Sequence, residues 1–452
     1  MTLPRPAPRP IEARSAAFQL PMSTSECTQL PCSALLDKLV TATLMIRSRY
    51  ARWMNDWEFR LETRDSNRIV RPFDWGTEWT TDFPGVQAPA AGSDALAVAP
   101  LPASATPEEQ KRYFFELNDH MVANSEEFFG YKVPTDFRLE QRPVRVYGTG
   151  SHANPAIDDL PYAGKCGTFL RFTSPVSSPY PENDVVNARW FPAPPAKGKP
   201  KRAIIVIPQW NGDAISHNAF ARIFRYFGVS TLRLSMPYHD IRMPAELHRA
   251  DYSVSSNIGR TIHAARQGII DIRCCVDWLE QQGYTEFGVL GTSLGSCYAF
   301  NASAHDSRIR VNIFNHASTY FGDVVWTGYS TRHVRAGIEP VLNAAELRHA
   351  FACVSPMNFF DKFERWPKQV LMIHTAYDRT FLPEFSRKIA EEFRSRNLHA
   401  EIRCLPCGHY TLGESPYKYM DGYLVTRFVA GAFNRAYPQD GAIEAASLQT
   451  TS

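Results

Sequence analysis

Ser293 stands at the centre of Gly291-Thr292-Ser293-Leu294-Gly295. A serine hydroxyl is a weak nucleophile at neutral pH and becomes reactive only with a base in hydrogen-bond reach. Glycines two residues before and two after it leave room for a very tight turn, across which larger side chains would collide. Such a turn lifts the hydroxyl to where a substrate can meet it. The chemistry this spacing points to is acyl transfer through a serine. It needs three further parts: a base, an acid that holds the base, and amide donors for the charge that develops on the carbonyl oxygen.

Where a strand–turn–helix elbow carries the serine, the acid and then the histidine follow on later loops at the same sheet edge. Among thirteen histidines, His409 fits the base. It follows the strand-like run 400–405 and stands behind Gly408, which lets the loop turn sharply. His316 follows another strand-like run and is the alternative base, while His374 lies inside a strand and reads as a core histidine. Asp378 is the expected acid, four residues past the run 369–374. Arg379 beside it offers the rival reading of a salt-bridged carboxylate, and Asp323 is the alternative acid. One amide donor is expected from Leu294, just after the nucleophile at a helix start. The second is expected from the loop Pro208-Gln209-Trp210-Asn211-Gly212, Trp210 first and Gln209 second. His239 and Arg242 follow the run 230–234 on the same edge. With Gln209 they are expected to line the substrate pocket, the rival reading being a polar network that supports the loop. The aromatic segment 319–337 is expected to form part of a cap or acyl pocket, or plain packing. Cys404-Leu405-Pro406-Cys407 lacks the second pair that a zinc site would want. No metal and no cofactor is expected.

These residues need a sheet to hold them. The aliphatic run 203–207, flanked by turns, reads as a strand buried on both faces of a parallel sheet. Further strands are predicted at 168–172, 185–191, 230–234, 287–290, 311–314, 369–374 and 400–405. Helices are predicted between them at 217–227, 258–282, 296–304, 383–396 and 417–433. The alternation predicts a doubly wound, mostly parallel sheet with helices on both faces. Upstream, Leu36, Leu39, Thr43, Ile46, Tyr50, Trp53, Trp57 and Leu61 recur at helical spacing. A second helix is predicted to start at Thr106-Pro107, with Glu109 completing a capping box. Residues 84–107 read as a Pro/Ala-rich linker. The expected organisation is a disordered tail (1–32), a helical N-terminal extension or cap (33–140), a catalytic domain (141–436) and a second disordered tail (437–452). Nothing before residue 140 looks catalytic.

The length of 452 residues and a hydrophobic fraction of 44% allow a large core. A net charge of +3 is too mild to argue for nucleic acid or a membrane surface. No stretch approaches the ~18 apolar residues of a membrane span, and the first thirty residues carry no secretion pattern. Nine scattered cysteines read as reduced thiols, and the cytoplasm is the expected location. The oligomeric state is left open.

From about residue 144 to 433 the chain resembles the α/β-hydrolase superfamily. The likeness is carried by Gly291-Thr-Ser293-Leu-Gly295, the loop Pro208-Gln-Trp-Asn-Gly212, Asp378 and Gly408-His409, in that superfamily's order. Within it the chain resembles the serine branch around dienelactone-hydrolase-like and acetyl xylan esterase-like enzymes. On Met236-Pro-Tyr-His-Asp-Ile-Arg-Met-Pro244 it also resembles the α/β-hydrolase domain-containing protein 18 type. Two departures matter. Pro208-Gln209 stands where many relatives have His-Gly, which leaves open which amide is the second donor. The nucleophile is serine where dienelactone hydrolases use cysteine, so their reaction is not implied. What the resemblance implies is an α/β-hydrolase fold and a serine hydrolase acting on a small-molecule carboxylic ester. A peptidase or amidase, or an acyltransferase, would use the same triad. A non-catalytic binding scaffold is the rival of another class.

Overall fold

The computed structural model describes residues 33–64, 68–86, 98, 101, 104–144, 166–396 and 398–438, with side chains from residue 48. Both expected tails, apart from residues 437 and 438, and most of the expected linker lie outside the described residues. The chain divides into two compact units, Met1–Ala51 and Arg52–Ser452. The second holds one nine-stranded sheet.

The strands are β1 (Arg138–Pro143), β2 (Cys166–Thr173), β3 (Val185–Phe191), β4 (Arg202–Ile207), β5 (Val229–Leu234), β6 (Glu286–Thr292), β7 (Ile309–Asn315), β8 (Gln369–Thr375) and β9 (Ala400–Leu405). They lie in the order β1-β2-β3-β5-β4-β6-β7-β8-β9. From β5 across to β9 all neighbours are parallel. On the other side, β1, β2, β3 and β5 pair antiparallel. The predicted strands are all present within two residues at each end. β1 was not predicted, because Arg-Leu-Glu-Gln-Arg-Pro has no apolar alternation. As an edge strand it is exposed or half-exposed along its whole length, so nothing in its burial imposes one.

The middle strands read as aliphatic runs because both their faces are covered. Five of the six residues of β4, and all of β5 and β6, are buried. The helix Ile258–Gln281, the helix Leu294–Ala304 and the helix Pro383–Ser395 pack on one face, and Asn218–Phe224 and Tyr417–Ala436 on the other. An aromatic cluster fills the layer between the first group and the sheet, with Phe300 stacked on Phe363 at 4.5 Å. The capping box at Thr106 and Glu109 forms as its spacing predicts. Among the described residues no helix is long and apolar enough to cross a membrane.

The chain runs from β4 outward to β5 and then returns to β6 on the other side of β4. That reversal opens a crevice at the C-terminal ends of β4 and β6, where open α/β sheets place their ligands. The loops after β4, β6, β7, β8 and β9 all emerge at this edge.

Candidate active site

The turn after β6 is as tight as its glycines suggest. Ser293 has φ 56° and ψ −120°, a backbone conformation that costs of order 1–3 kcal/mol. A Cβ on Gly291 would lie 2.2 Å from the carbonyl oxygen of Gly295, and one on Gly295 would lie 2.4 Å from that of Ile207 at the end of β4. Neither contact is tolerable, and both are with backbone. The two glycines therefore let the elbow close on itself and dock against β4. The Ser293 N–H is tied to the Asn315 carbonyl at 2.8 Å, which fixes the elbow to the end of β7.

His409, Asp378 and Ser293 come together at this edge. The Ser293 hydroxyl lies 3.0 Å from His409 Nε2. His409 Nδ1–H donates to Asp378 Oδ2 at 3.0 Å. Asp378 Oδ1 accepts the backbone N–H groups of Thr380 and Phe381 at 2.8 and 2.7 Å. Burial works to raise the Asp378 pKa, but His409 and His316 outweigh it and hold the carboxyl well below its usual range. Burial likewise works to lower His409. The Asp378 charge and hydrogen bond, then Glu58 and Glu62, raise it above the ordinary imidazole value. An ionised carboxylate only accepts hydrogen bonds, so Nδ1 carries the proton and Nε2 turns its lone pair to the serine.

His316, the alternative base, also lies here. Its Nδ1–H donates to the same Asp378 Oδ2 at 3.0 Å, and its ring stands 4.2 Å from that of His409. Burial, then the neighbouring His409, pushes its pKa down to about 4. His316 is a neutral second donor to the acid, while the contact with Ser293 belongs to His409. The atoms of His316, Asp378 and His409 that could bind a metal lie within 4.8 Å of one another. Both Nδ1 atoms carry protons for one carboxylate oxygen, so a metal there would have to displace them. Asp323 is taken elsewhere, in a two-pronged pair with Arg348 at 2.8 Å on each arm. His374 is held neutral by burial on β8.

A cavity opens at Ser293. Trp210, Val254, Leu294, Cys297, Phe321 and Phe381 are among its mostly apolar walls. Of the expected aromatic wall, Phe321 is a member, and Tyr320, Trp326 and Tyr329 are not. The Leu294 and Trp210 N–H groups have no hydrogen-bond partner among the described residues. Leu294 opens its helix, where the first N–H groups lack intrahelical partners.

Gln209, His239 and Arg242 do not line this cavity. Gln209 sits in the loop beside Trp210, its side-chain oxygen buried without a partner among the described residues. His239 and Arg242 correct the sequence expectation in favour of its rival, because both are buried and hydrogen-bonded to the loops around them. His239 Nδ1–H donates to the Pro237 carbonyl at 2.8 Å, and Nε2 accepts the Asn211 N–H at 3.0 Å. Burial pushes its pKa down to about 3, so it stays neutral. Arg242 donates to the Asn183 and Ser235 carbonyls at 2.8 and 3.0 Å and pairs with Asp271 at 2.9 Å. Through Asn211, His239 sets the loop that carries Trp210, whose indole N–H is fixed to the Ala250 carbonyl at 2.9 Å.

Sequence reasoning placed the helix Ser33–Glu62 but missed the glutamates by which it reaches the site. Glu58 is fully buried and accepts the backbone N–H groups of Tyr410 and Thr411 at 2.7 and 2.9 Å. Gly408 makes room for it, since a Cβ there would come within 2.4 Å of the Glu58 carboxyl. Glu62, one turn on, is also fully buried and lies 3.4 Å from Arg379. Burial, against the pull of Arg379, pushes its pKa up to about 7. The signal was present: two glutamates four apart, on one face of a helix with Met54.

No family model matches the sequence, and no match is found among curated proteins. In structure the chain is similar to an acylaminoacyl peptidase from Pyrococcus horikoshii. The TM-score is 0.47 at 12% identity, over 60% of this chain and 42% of that one. This chain thus spans less than half the length of the peptidase. It is also similar to an acetyl xylan esterase from Paenibacillus sp. R4, with TM-score 0.47 and 13% identity over 74% of this chain and 97% of that one. A third likeness is to the esterase Pf2001 of Pyrococcus furiosus, with TM-score 0.41 and 13% identity over 59% and 90%. The parallel sheet with its antiparallel flank, and the serine elbow between β6 and a helix, are those of the α/β-hydrolase fold.

Proposed function

We propose that the protein is a serine hydrolase that cleaves a carboxylic ester through an acyl-enzyme. The observation that carries this reading is the unbroken chain from Ser293 Oγ to His409 Nε2 and from His409 Nδ1 to Asp378, 3.0 Å at each step. In this reading His409 takes the serine proton as Ser293 attacks the carbonyl. The Leu294 and Trp210 N–H groups hold the resulting oxyanion, each such donor typically being worth ~10²–10³ in turnover. His409 then gives its proton to the departing alcohol, and the acyl group remains on Ser293. A water activated by His409 releases the acid. Asp378 keeps the imidazole in the required tautomer and stabilises the imidazolium. None of these steps calls on a cofactor.

Ser293→Ala is expected to abolish turnover of a short p-nitrophenyl ester and labelling by a fluorophosphonate probe, and turnover retained in that variant would overturn the reading. Labelling without ester turnover would place the same triad in the service of an amide or of an acyl acceptor other than water. Competition by added acceptors then separates those two. Turnover that survives dialysis against EDTA is expected as well, since the proposed chemistry runs on side chains alone.

A further inference from the structure

A backbone amide is aimed by the chain that carries it, so what directs the Trp210 N–H must be sought in its neighbours. Residues 209–212 form one tight turn. The Gly212 N–H donates to the Gln209 carbonyl at 2.9 Å, and a Cβ on Gly212 would come within 2.9 Å of that same oxygen. Asn211, the third residue, has φ 61°, and none of the other three is left-handed. That is the pattern of a type II turn. The left-handed conformation is unfavourable for most side chains and less so for asparagine. The turn uses the N–H of Gly212 and leaves that of Trp210 outside its own hydrogen bond, unpaired among the described residues. The elbow packs on the residue before this turn, since a Cβ on Gly295 would lie 2.5 Å from the Pro208 carbonyl oxygen. Trp210, Ser293 and Leu294 line one cavity. The two unpaired amides thus come from the two segments that meet at the nucleophile.

Asn211 is tied to two other segments. Its N–H donates to His239 Nε2 at 3.0 Å. Its side-chain Oδ1 accepts the Ala250 N–H at 2.8 Å, and the Ala250 carbonyl accepts the Trp210 indole N–H at 2.9 Å. One residue of a distant loop therefore grips both central residues of the turn. That grip is anchored, because Ala250 is fully buried and its carbonyl also takes the Ser253 N–H at 3.0 Å. Arg249 beside it lies over the Trp210 ring at 5.4 Å, and His333 stacks on the same ring, with centroids 5.8 Å and planes 4° apart. Without Asn211 Oδ1 the Ala250 N–H is left buried and unsatisfied, which is unfavourable, and the turn loses the bond that fixes its third residue.

We propose that Asn211 is a positioning residue for the oxyanion hole, its side chain closing on Ala250 so that the Trp210 N–H faces the oxygen of the tetrahedral intermediate. The proposal rests on the hydrolase reading, and it gives the loop around Ala250 the task of aiming the second donor. A donor aimed in this way acts on the charge of the transition state more than on the neutral carbonyl of the bound ester. Its misplacement therefore shows in kcat and leaves KM nearly unchanged.

Asn211→Ala removes Oδ1 and penalises the left-handed turn, whereas Asn211→Gly removes Oδ1 and keeps the turn. Both are assayed on p-nitrophenyl acetate, per site counted by exhaustive fluorophosphonate labelling, so that unfolded protein does not enter the rate. Each is expected to lower kcat about tenfold or more with KM little changed. An alkyl trifluoromethyl ketone gives the second readout. Ser293 Oγ bonds to its carbonyl carbon, the serine proton passes to His409, and the π electrons move to the oxygen, which leaves an oxyanion in the hole and no leaving group. The affinity for this ketone is expected to fall by the same factor as kcat/KM. Unchanged kcat and ketone affinity in both variants overturn the proposal and leave the hydrolase reading standing, as does a loss confined to KM. A loss in Asn211→Ala that Asn211→Gly does not share overturns it too, since the turn and not the bond to Ala250 is then at work. Unsubstituted protein that turns over no ester yet binds the ketone, more weakly in Asn211→Gly, supports the proposal and counts against the ester instead. Unsubstituted protein that neither turns over the ester nor binds the ketone sinks the hydrolase reading, and the oxyanion hole with it.

Discussion

Asp378 collects five donors: two backbone amides on Oδ1, and His316, His409 and the Thr375 hydroxyl on Oδ2. A carboxylate offers about four lone-pair sites, so Asp378 is saturated and held ionised. Its charge determines how His409 titrates. The His409 pKa stands above its ordinary value despite burial, and the protonated imidazole cannot accept the serine proton. Activity is therefore expected to fall as pH drops through a value above the ~6.5 of a free imidazole. The acid limb of a kcat/KM profile measures it. His316 acts one step back, as a positioning residue on Asp378. Its replacement in His316→Gln removes one charge-assisted hydrogen bond and is expected to lower kcat about tenfold with KM little changed. If His316 were itself the base, kcat would drop to the background of Ser293→Ala. The sequence could not choose between these histidines, because each follows a sheet strand. The distinction lies in which ring nitrogen meets Ser293, a matter of a few ångströms between segments distant in the chain.

The helix that ends at Glu62 shows where periodicity stops being informative. Its existence was legible from residues 36–61, but the face it buries was not. The apolar stripe placed Trp53 and Trp57 inward, whereas Trp53 is 47% exposed and the fully buried residues are Met54, Glu58 and Glu62. Burying a carboxylate is unfavourable unless its hydrogen bonds are supplied. Here two amides supply them from a turn 352 residues further along the chain, which no local pattern reveals. The helix thus clamps the loop that presents His409. In Glu58→Gln the amide can accept one of those N–H groups but turns an NH₂ toward the other. We expect kcat to fall about tenfold or more. Removing the negative charge also takes away a contribution that raises the His409 pKa, so the acid limb should move to lower pH. A helix that served stability alone would lower Tm and leave that limb where it is.

At the scale of the whole molecule the sheet was the most legible feature, because strands covered on both faces must be aliphatic throughout, as Ile204, Ile205 and Val206 are. Less legible was which polar residues at the sheet edge face substrate and which hold the layers together. Arg242 is the clearest case. It follows β5 on the edge that carries the site, as a pocket residue would, yet it is fully buried and ties that loop to the long helix Ile258–Gln281 through Asp271. Asp271 accepts the Ser174 hydroxyl at 2.7 Å with its other oxygen, so one carboxylate joins three parts of the chain. Burial raises the Asp271 pKa and Arg242 opposes the rise. Arg242→Met leaves that carboxylate buried without a counter-charge, which typically costs ~3–5 kcal/mol. With Arg242 gone the folded-state pKa rises further above the unfolded value. Stability is then greatest where Asp271 is protonated in both states and is lost as pH rises through the folded-state value. Urea melts of Arg242→Met should therefore show a deficit that is large at pH 8 and shrinks toward pH 5. Arg242→Met combined with Asp271→Asn removes the charge and keeps an acceptor for Ser174, and should recover most of the loss at pH 8. A pocket role predicts the opposite pattern: unchanged melts at both pH values, a raised KM for the preferred ester, and no rescue by the second substitution.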